Sequence, residues 1–233
     1  MHGWAGHGQA VRGGAVRGAA RQCGAKRGKA GQGKVLTGEG KMKVEIQIEI
    51  EGISPLICNK FHDAAAIASS SGSRGSSAAA DRGTPLEIAE KKLYLGLDGK
   101  PMIPQPNLLR CLVDGGSFHK IGKKQITTKT SSMLYSCLDI EGAEIKLIHK
   151  QDWKVDTRAV VIPSTRGRIL AHRPMFDDWR LKFAAELDTT IMGSKLFRLV
   201  CDDAGKRIGL GDFRPSCKGP YGRFQIVSWK EKN

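Results

Sequence analysis

Apolar and polar residues alternate strictly along residues 44–51. Val44, Ile46, Ile48 and Ile50 fall on one side, and Glu45, Gln47, Glu49 and Glu51 on the other. A period of two is that of a strand with one buried face, so a half-buried strand is predicted here, ending at Gly52–Pro55. The same pattern returns at Leu181, Phe183, Ala185 and Leu187, which alternate with Arg180, Lys182 and Glu186 after Trp179. It closes the chain from Phe224 to Trp229. Ile145–Ile148 and Arg158–Ile162 are shorter strand candidates. Helical signals fall between them. Thr84-Pro85 supplies an N-cap and a first-turn proline, followed by Leu86, Ala89 and Leu93 at helical spacing. Pro101–Pro106 is predicted extended, and a short helix is expected from Asn107 to the pair Gly115-Gly116. A further helix runs from Ser194 to about Lys206, with Leu196, Leu199, Val200 and Ala204 on its inner face.

The last third therefore reads strand, helix, glycine-rich loop, strand. Together with the first strand and a helix at 85–95 or 107–114, it makes about two β-α-β units. The expected fold class is α+β: a ferredoxin-like, RRM-like antiparallel sheet with helices on one face and a C-terminal glycine-rich loop. Residues 1–41 differ in kind, holding twelve of the 29 glycines, eight Lys/Arg and one acid. Such a segment buries too little apolar surface to offset its ordering entropy, so a disordered basic arm is expected. Met42 directly precedes the first strand, which favours reading 1–41 as a start-site extension. Residues 42–233 are then a single domain, interrupted at 63–83 by a second low-complexity stretch, DAAAIASSSGSRGSSAAADRG, expected to be a mobile loop.

The formal charge of +15 and pI near 9.7 suit a polyanionic partner. With the arm contributing +7, residues 42–233 keep +8, so the folded part is basic in its own right. Six cysteines stand far apart without a C-x-x-C pair, which excludes zinc spacing and argues against a disulfide framework. No run of 18 apolar residues and no signal-type leader is present, so a cytoplasmic protein without a membrane partner is expected. No cofactor motif occurs either. Gly209-Leu210-Gly211-Asp212 lacks the third glycine of a dinucleotide fingerprint and is followed by no Gly-Lys-Ser/Thr.

Candidate chemistry concentrates between Ile208 and Trp229. Gly209, Gly211, Gly219 and Gly222 stand among Arg207, Arg214, Lys218 and Arg223, with Phe213 and Tyr221 interleaved. Glycine permits positive φ and close approach, and cations beside such a backbone offer phosphates both N–H groups and charge. Asp212 is placed to pair with Arg214 or to cap the turn. Arg158, Arg166, Arg168 and Arg173 form a second basic row, with Arg166 and Arg168 two apart and so on one strand face. Tyr221 is a candidate to stack on bases, and Phe213 is expected in the core. The acidic pairs Asp177-Asp178 and Asp202-Asp203 are read as turn and solvent residues, because adjacent carboxylates point apart. His62-Asp63 has no partner whose geometry the sequence fixes. No catalytic or metal-binding residue is assigned.

Gly209-Leu210-Gly211 and Gly219-Pro220-Tyr221-Gly222-Arg223 resemble the C-terminal loop, GLG…R…G-[FY]-G-R, of the RAMP superfamily. These are the RNA-binding backbone proteins of CRISPR effector complexes. The resemblance implies an RRM-like core and RNA contact through the loop. It is confined to the C-terminal segment, departs from the family in the insertion Asp212–Lys218, and brings no RNA-processing histidine. Residues 42–233 as a whole are similar to a family of uncharacterised phage and prophage proteins. The shared features are a PMIP turn at Pro101–Pro104, Arg173-Pro174 ahead of Trp179, and a closing GLGD-[FW]-RP…GRF from Gly209 to Phe224. No established activity comes with that likeness.

The sequence thus points to a non-catalytic, nucleic-acid-binding protein of phage or prophage type. Single strands are the favoured partner, RNA and single-stranded DNA are both compatible, and so is a homo-oligomeric state. A phage assembly protein whose basic face meets an acidic protein is the alternative. Deleting residues 1–41 should leave the thermal unfolding midpoint unchanged and weaken nucleic-acid binding only through a salt-screened contribution. A large loss of thermal stability in the truncated protein would show that the segment belongs to the fold.

Overall fold

The structure is a computed structural model describing residues 43–61, 83–161 and 167–232. The segment 1–41, the loop at 63–83 apart from Gly83, His62-Asp63 and Arg166 lie outside the described residues. The described residues all fall within one compact unit.

The first strand, β1 (Lys43–Gly52), buries Ile46, Ile48 and Ile50 as its alternation requires. After β2 (Leu56–Ile57), α1 (Pro85–Lys91) starts with a capping box. The Thr84 hydroxyl accepts from the Glu87 N–H at 3.3 Å, and the Glu87 carboxylate accepts from the Thr84 N–H at 3.0 Å. Its buried residues are Ile88 and Ala89, whereas Leu86 is exposed. β3 (Met102–Pro104) leads directly into α2 (Gln105–Gly115), two residues ahead of the expected start, because Pro106 fits the first turn, where its missing N–H costs nothing. Gly115 and Gly116 do not terminate α2 in a left-handed cap, since Gly116 has φ −61°. Gly115 instead allows helix contact: a Cβ there would stand 2.7 Å from that of Ala204.

After α2 comes a small hairpin, β4 (Lys120–Ile121) with β5 (Lys124–Gln125). Then follow α3 (Leu134–Cys137), β6 (Leu138–Ile140), β7 (Glu144–Ile148), β8 (Lys154–Val161), β9 (Arg168–Phe176) and β10 (Arg180–Asp188). The last helix, α4 (Ser194–Asp203), continues as a wider π turn over Ala204–Ile208 before β11 (Phe224–Lys232). Its inner face is Phe197, Val200, Cys201 and Ala204, and Leu199 is exposed. Gly193, not Ser194, occupies the N-cap, which places Ser194 inside the helix.

The fold is mixed α+β, with antiparallel sheets and, among the described residues, four α-helices. The main sheet runs β11-β1-β10-β7-β3, with β6 pairing farther along the same edge of β10. Counting β6 and β7 as one interrupted strand, the order of its principal strands is fourth, first, third, second, and every pairing is antiparallel. α2 lies between the first and second of these, and α4 between the third and fourth. One face carries the core, where Ile48, Leu181, Phe183, Leu112, Phe197 and Val200 join one buried cluster. Each such side chain contributes about 1.5–3 kcal/mol by leaving water. The opposite face of β1 and β10 is charged but self-compensated. Glu45 and Glu186 face each other across the ladder, and Lys232 and Lys43 neutralise them in turn. Lys182 pairs with Glu49, and Arg180 with Glu51. A second sheet, β2-β9-β8, combines the short strand that follows β1 with the β8–β9 pair inserted between β7 and β10. Buried Trp179 joins the two sheets, its indole donating to the Ser54 carbonyl at 2.8 Å. No helix among the described residues is long and apolar enough to cross a membrane.

Cys58, Cys111, Cys137 and Cys201 are buried free thiols and Cys217 is exposed. Burial pushes the Cys58 thiol from 9.0 up to about 12. Below pH 9 the folded and unfolded chains both keep this proton, and between 9 and 12 only the unfolded chain releases it. Stability is therefore expected to fall as pH rises through that window, less steeply in Cys58→Ala, when followed by urea midpoints. Of the five described thiols, Cys217 should react first with a thiol reagent in the native protein. Native-state labelling of Cys58 would contradict its burial.

Candidate nucleic-acid interface

The glycine-rich segment after α4 is stitched to the chain around β2. Asp212 donates its N–H to the Ile57 carbonyl at 2.7 Å, and Gly222 donates to Pro55 at 2.8 Å. Leu210 donates to Gly222 at 2.8 Å, and the Arg223 N–H reaches the Ser54 hydroxyl at 2.9 Å. These bonds need positive φ at Gly209, Gly211 and Gly222. At Gly222 (φ 68°) a Cβ would lie 1.8 Å from the Leu210 carbonyl oxygen, and at Gly211 (φ 75°) 2.4 Å from that of Ile57. No side chain is compatible with either contact.

One arginine organises this junction. Arg173 on β9 is 4% exposed, and its guanidinium reaches Asp156 of β8 at 3.0 Å and Asp212 of the loop at 2.8 Å. Its Nε is buried and has no hydrogen-bond partner among the described residues. Asn59 donates to the same Asp212 oxygen at 3.0 Å, and the other oxygen accepts the Phe213 N–H at 2.8 Å. Asp212 therefore caps the turn and pairs with Arg173, not with Arg214. Asp156 also accepts from Arg158 Nε at 2.6 Å. The Arg158 guanidinium lies over the Tyr221 ring at 4.6 Å and donates to its hydroxyl, and Phe213 stands 6.0 Å from that ring.

The predicted arginine row separates on this geometry. Arg173 is an internal anchor, removed from solvent by its two acids. In the β8–β9 ladder Asp156 opposes Arg173 and Val161 opposes Arg168, five residues away, so exposed Arg168 projects from the other face. Arg158 shares Arg173's face and is half-buried against Tyr221. Arg214 donates to the Gly211 carbonyl at 2.7 Å and to Ser216 at 2.8 Å, bracing the loop from within. Lys218 (φ 63°) and Arg223 are exposed, and neither side chain forms an ion pair among the described residues. Arg207 is engaged elsewhere, pairing with Asp203 at 3.0 Å and lying over Phe118.

A cleft of about 230 Å³ opens beside the loop. Residues 209–212 and Arg214 form one wall, Asn107, Arg110 and Cys111 of α2 the other, and Cys58, Asn59 and Tyr94 complete it. Cys111 donates its thiol to the Gly209 carbonyl at 3.2 Å, and burial raises its pKa. Asp156, Asn59, Asn107 and Arg110 carried no sequence signal, since none lies within a motif and each is separated from the loop by tens of residues. Among the described residues no group of three or more His, Cys, Asp or Glu is placed to hold a metal ion.

No protein-family model and no curated protein matches the chain, so the resemblance to phage and prophage proteins rests on its motif residues. Among solved structures, the chain has a partial likeness to one in the cryo-EM structure of the Type III-B Cmr-beta bound to cognate target RNA. The TM-score is 0.48 and the identity 9%, over 82% of this chain and 61% of that one. This chain thus spans less than two thirds of that chain's length.

Arg173→Ala should lower the unfolding free energy by up to about 3–5 kcal/mol, because it removes the buried cation between Asp156 and Asp212 and leaves Arg158 alone to compensate Asp156. Urea denaturation measures the loss. The double variant Arg173→Ala/Asp156→Ala should recover part of it, whereas additive losses would mean that the two charges do not interact.

Proposed function

We propose that the protein is a non-catalytic nucleic-acid-binding protein of ferredoxin-like, RRM-like architecture that takes RNA or single-stranded DNA along the glycine-rich loop. One observation carries this reading. The loop is fixed from within by Arg173, Asp156 and Asp212, while Lys218 and Arg223 are exposed on the same segment that carries Tyr221 of the Arg158–Tyr221 stack and the 209–212 wall of the cleft. A pre-set backbone with unpaired cations meets phosphates at little ordering cost.

The strand order fourth, first, third, second is that of the split β-α-β fold and supports the architecture. The outer sheet face offers little to a polyanion. Its residues Glu45, Gln47, Glu49, Glu51, Arg180, Lys182 and Glu186 include no aromatic, and their charges are largely paired with each other. That leaves the loop end as the contact region. Single strands suit it better than duplex because unstacked bases can reach Tyr221. The phage or prophage origin implied by the closing motif is part of the same proposal.

Lys218→Gln/Arg223→Gln tests it, since neither side chain supports the fold. Fluorescence anisotropy with single-stranded RNA and DNA should show weaker binding. The slope of log affinity against log salt should fall by up to about 0.7 for each phosphate no longer neutralised. Unchanged affinity and slope would overturn the loop as the site. Assembly into a nuclease-insensitive oligomer without nucleic-acid binding would favour the acidic-partner alternative.

A further inference from the structure

Unpaired cations meet an exposed ring at a second place. Past α2 the chain makes the turn Gly116–Phe118 and enters the β4–β5 hairpin. Phe118 is 45% exposed, and the Arg207 guanidinium lies 4.7 Å from its ring centroid. Arg207 stands on the π turn that extends α4, a widening of the helix that often accompanies function. A single carboxylate ties the two elements together. Asp203 pairs with Arg207 at 3.0 Å through one oxygen, and its other oxygen stands 2.9 Å from His119 Nε2, an ion pair when that imidazole is protonated. The Gln125 amide donates to the Ser117 carbonyl and closes the base of the hairpin. Lys120, Lys123 and Lys124 on the hairpin and Lys206 on the π turn are exposed, and none forms an ion pair among the described residues. Of the nearby acids, Asp203 is doubly engaged and Asp114 is paired with Arg110 at 3.0 Å.

We propose that the Phe118–Arg207 stack and the β4–β5 lysines form a second contact for the same single-stranded nucleic acid. One base extends the stack, and the lysines hold flanking phosphates. This rests on the nucleic-acid reading above and adds a site that the glycine-rich loop does not contain. Aromatic stacking tolerates any base, and a guanidinium over the ring extends the platform. A stack alone would suit a purely structural contact. Four exposed cations around it, with the neighbouring Asp203 and Asp114 already engaged, offer positive charge that a polyanion can neutralise.

Two variants test the site by anisotropy with single-stranded oligonucleotides: Phe118→Ala, and Lys120→Gln/Lys123→Gln/Lys124→Gln. All four positions are exposed or half-exposed, so unchanged urea midpoints are expected. Phe118→Ala should weaken binding by about 5- to 150-fold. The triple variant should reduce the salt slope by up to about 0.7 per lysine. Phe118→Trp should retain affinity, and its added indole fluorescence should be quenched by bound oligonucleotide. If both weakened variants bind as wild type while Lys218→Gln/Arg223→Gln does not, the second site is overturned and the loop stands. If the wild-type protein binds no single strand at low salt, both fall.

Discussion

Arg173 brings a full positive charge into the seam between the second sheet and the glycine-rich loop, and the junction depends on how that charge is compensated. Asp156 answers it from the adjacent strand and Asp212 from the glycine-rich loop. A buried ion pair adds little net stability over well-packed apolar residues, but removing one partner strands a charge in a poorly solvated place. Its main effect is to admit one arrangement. The loop has to bring Asp212 to the guanidinium, and the positive φ angles at Gly209, Gly211 and Gly222 follow from that path.

This arrangement sorts the cations of a strongly basic chain into those that hold the fold and those that remain outside it. Arg173 and Arg214 work inward, on carboxylates and on a carbonyl. Lys218, Arg223 and the hairpin lysines face water. The charged face of the main sheet is neutralised by its own cross-strand pairs. Each such exposed pair is worth about 0–1 kcal/mol, yet together they remove that face as an attractor of anions. Net charge therefore sets the sign of the charge the protein carries, while the pairing pattern decides which surfaces present it uncompensated.

Much of the fold was legible in the chain because its strands are buried on one face. Alternation placed β1, β10 and β11, and Thr84-Pro85 placed the start of α1. The inner face of α4 was less legible. Leu199 sits at a helical spacing, but Phe197, Val200 and Cys201 match the position of α2, and only the docked partner distinguishes the two stripes. Gly115-Gly116 likewise reads as a stop signal, whereas its use is the close approach of Ala204.

For the interface, the residues themselves determined that the loop would be glycine-dependent, basic and partly aromatic, because those properties belong to composition and local conformation. Tertiary structure decided which charges it keeps. Asp156 and Arg173 lie 17 residues apart and Arg173 and Asp212 39 apart; strand register makes the first two neighbours, and the path of the glycine-rich loop brings the third. A side chain's charge is written in the sequence. Whether it is exposed to a ligand or compensated inside depends on long-range pairing, which no local pattern encodes.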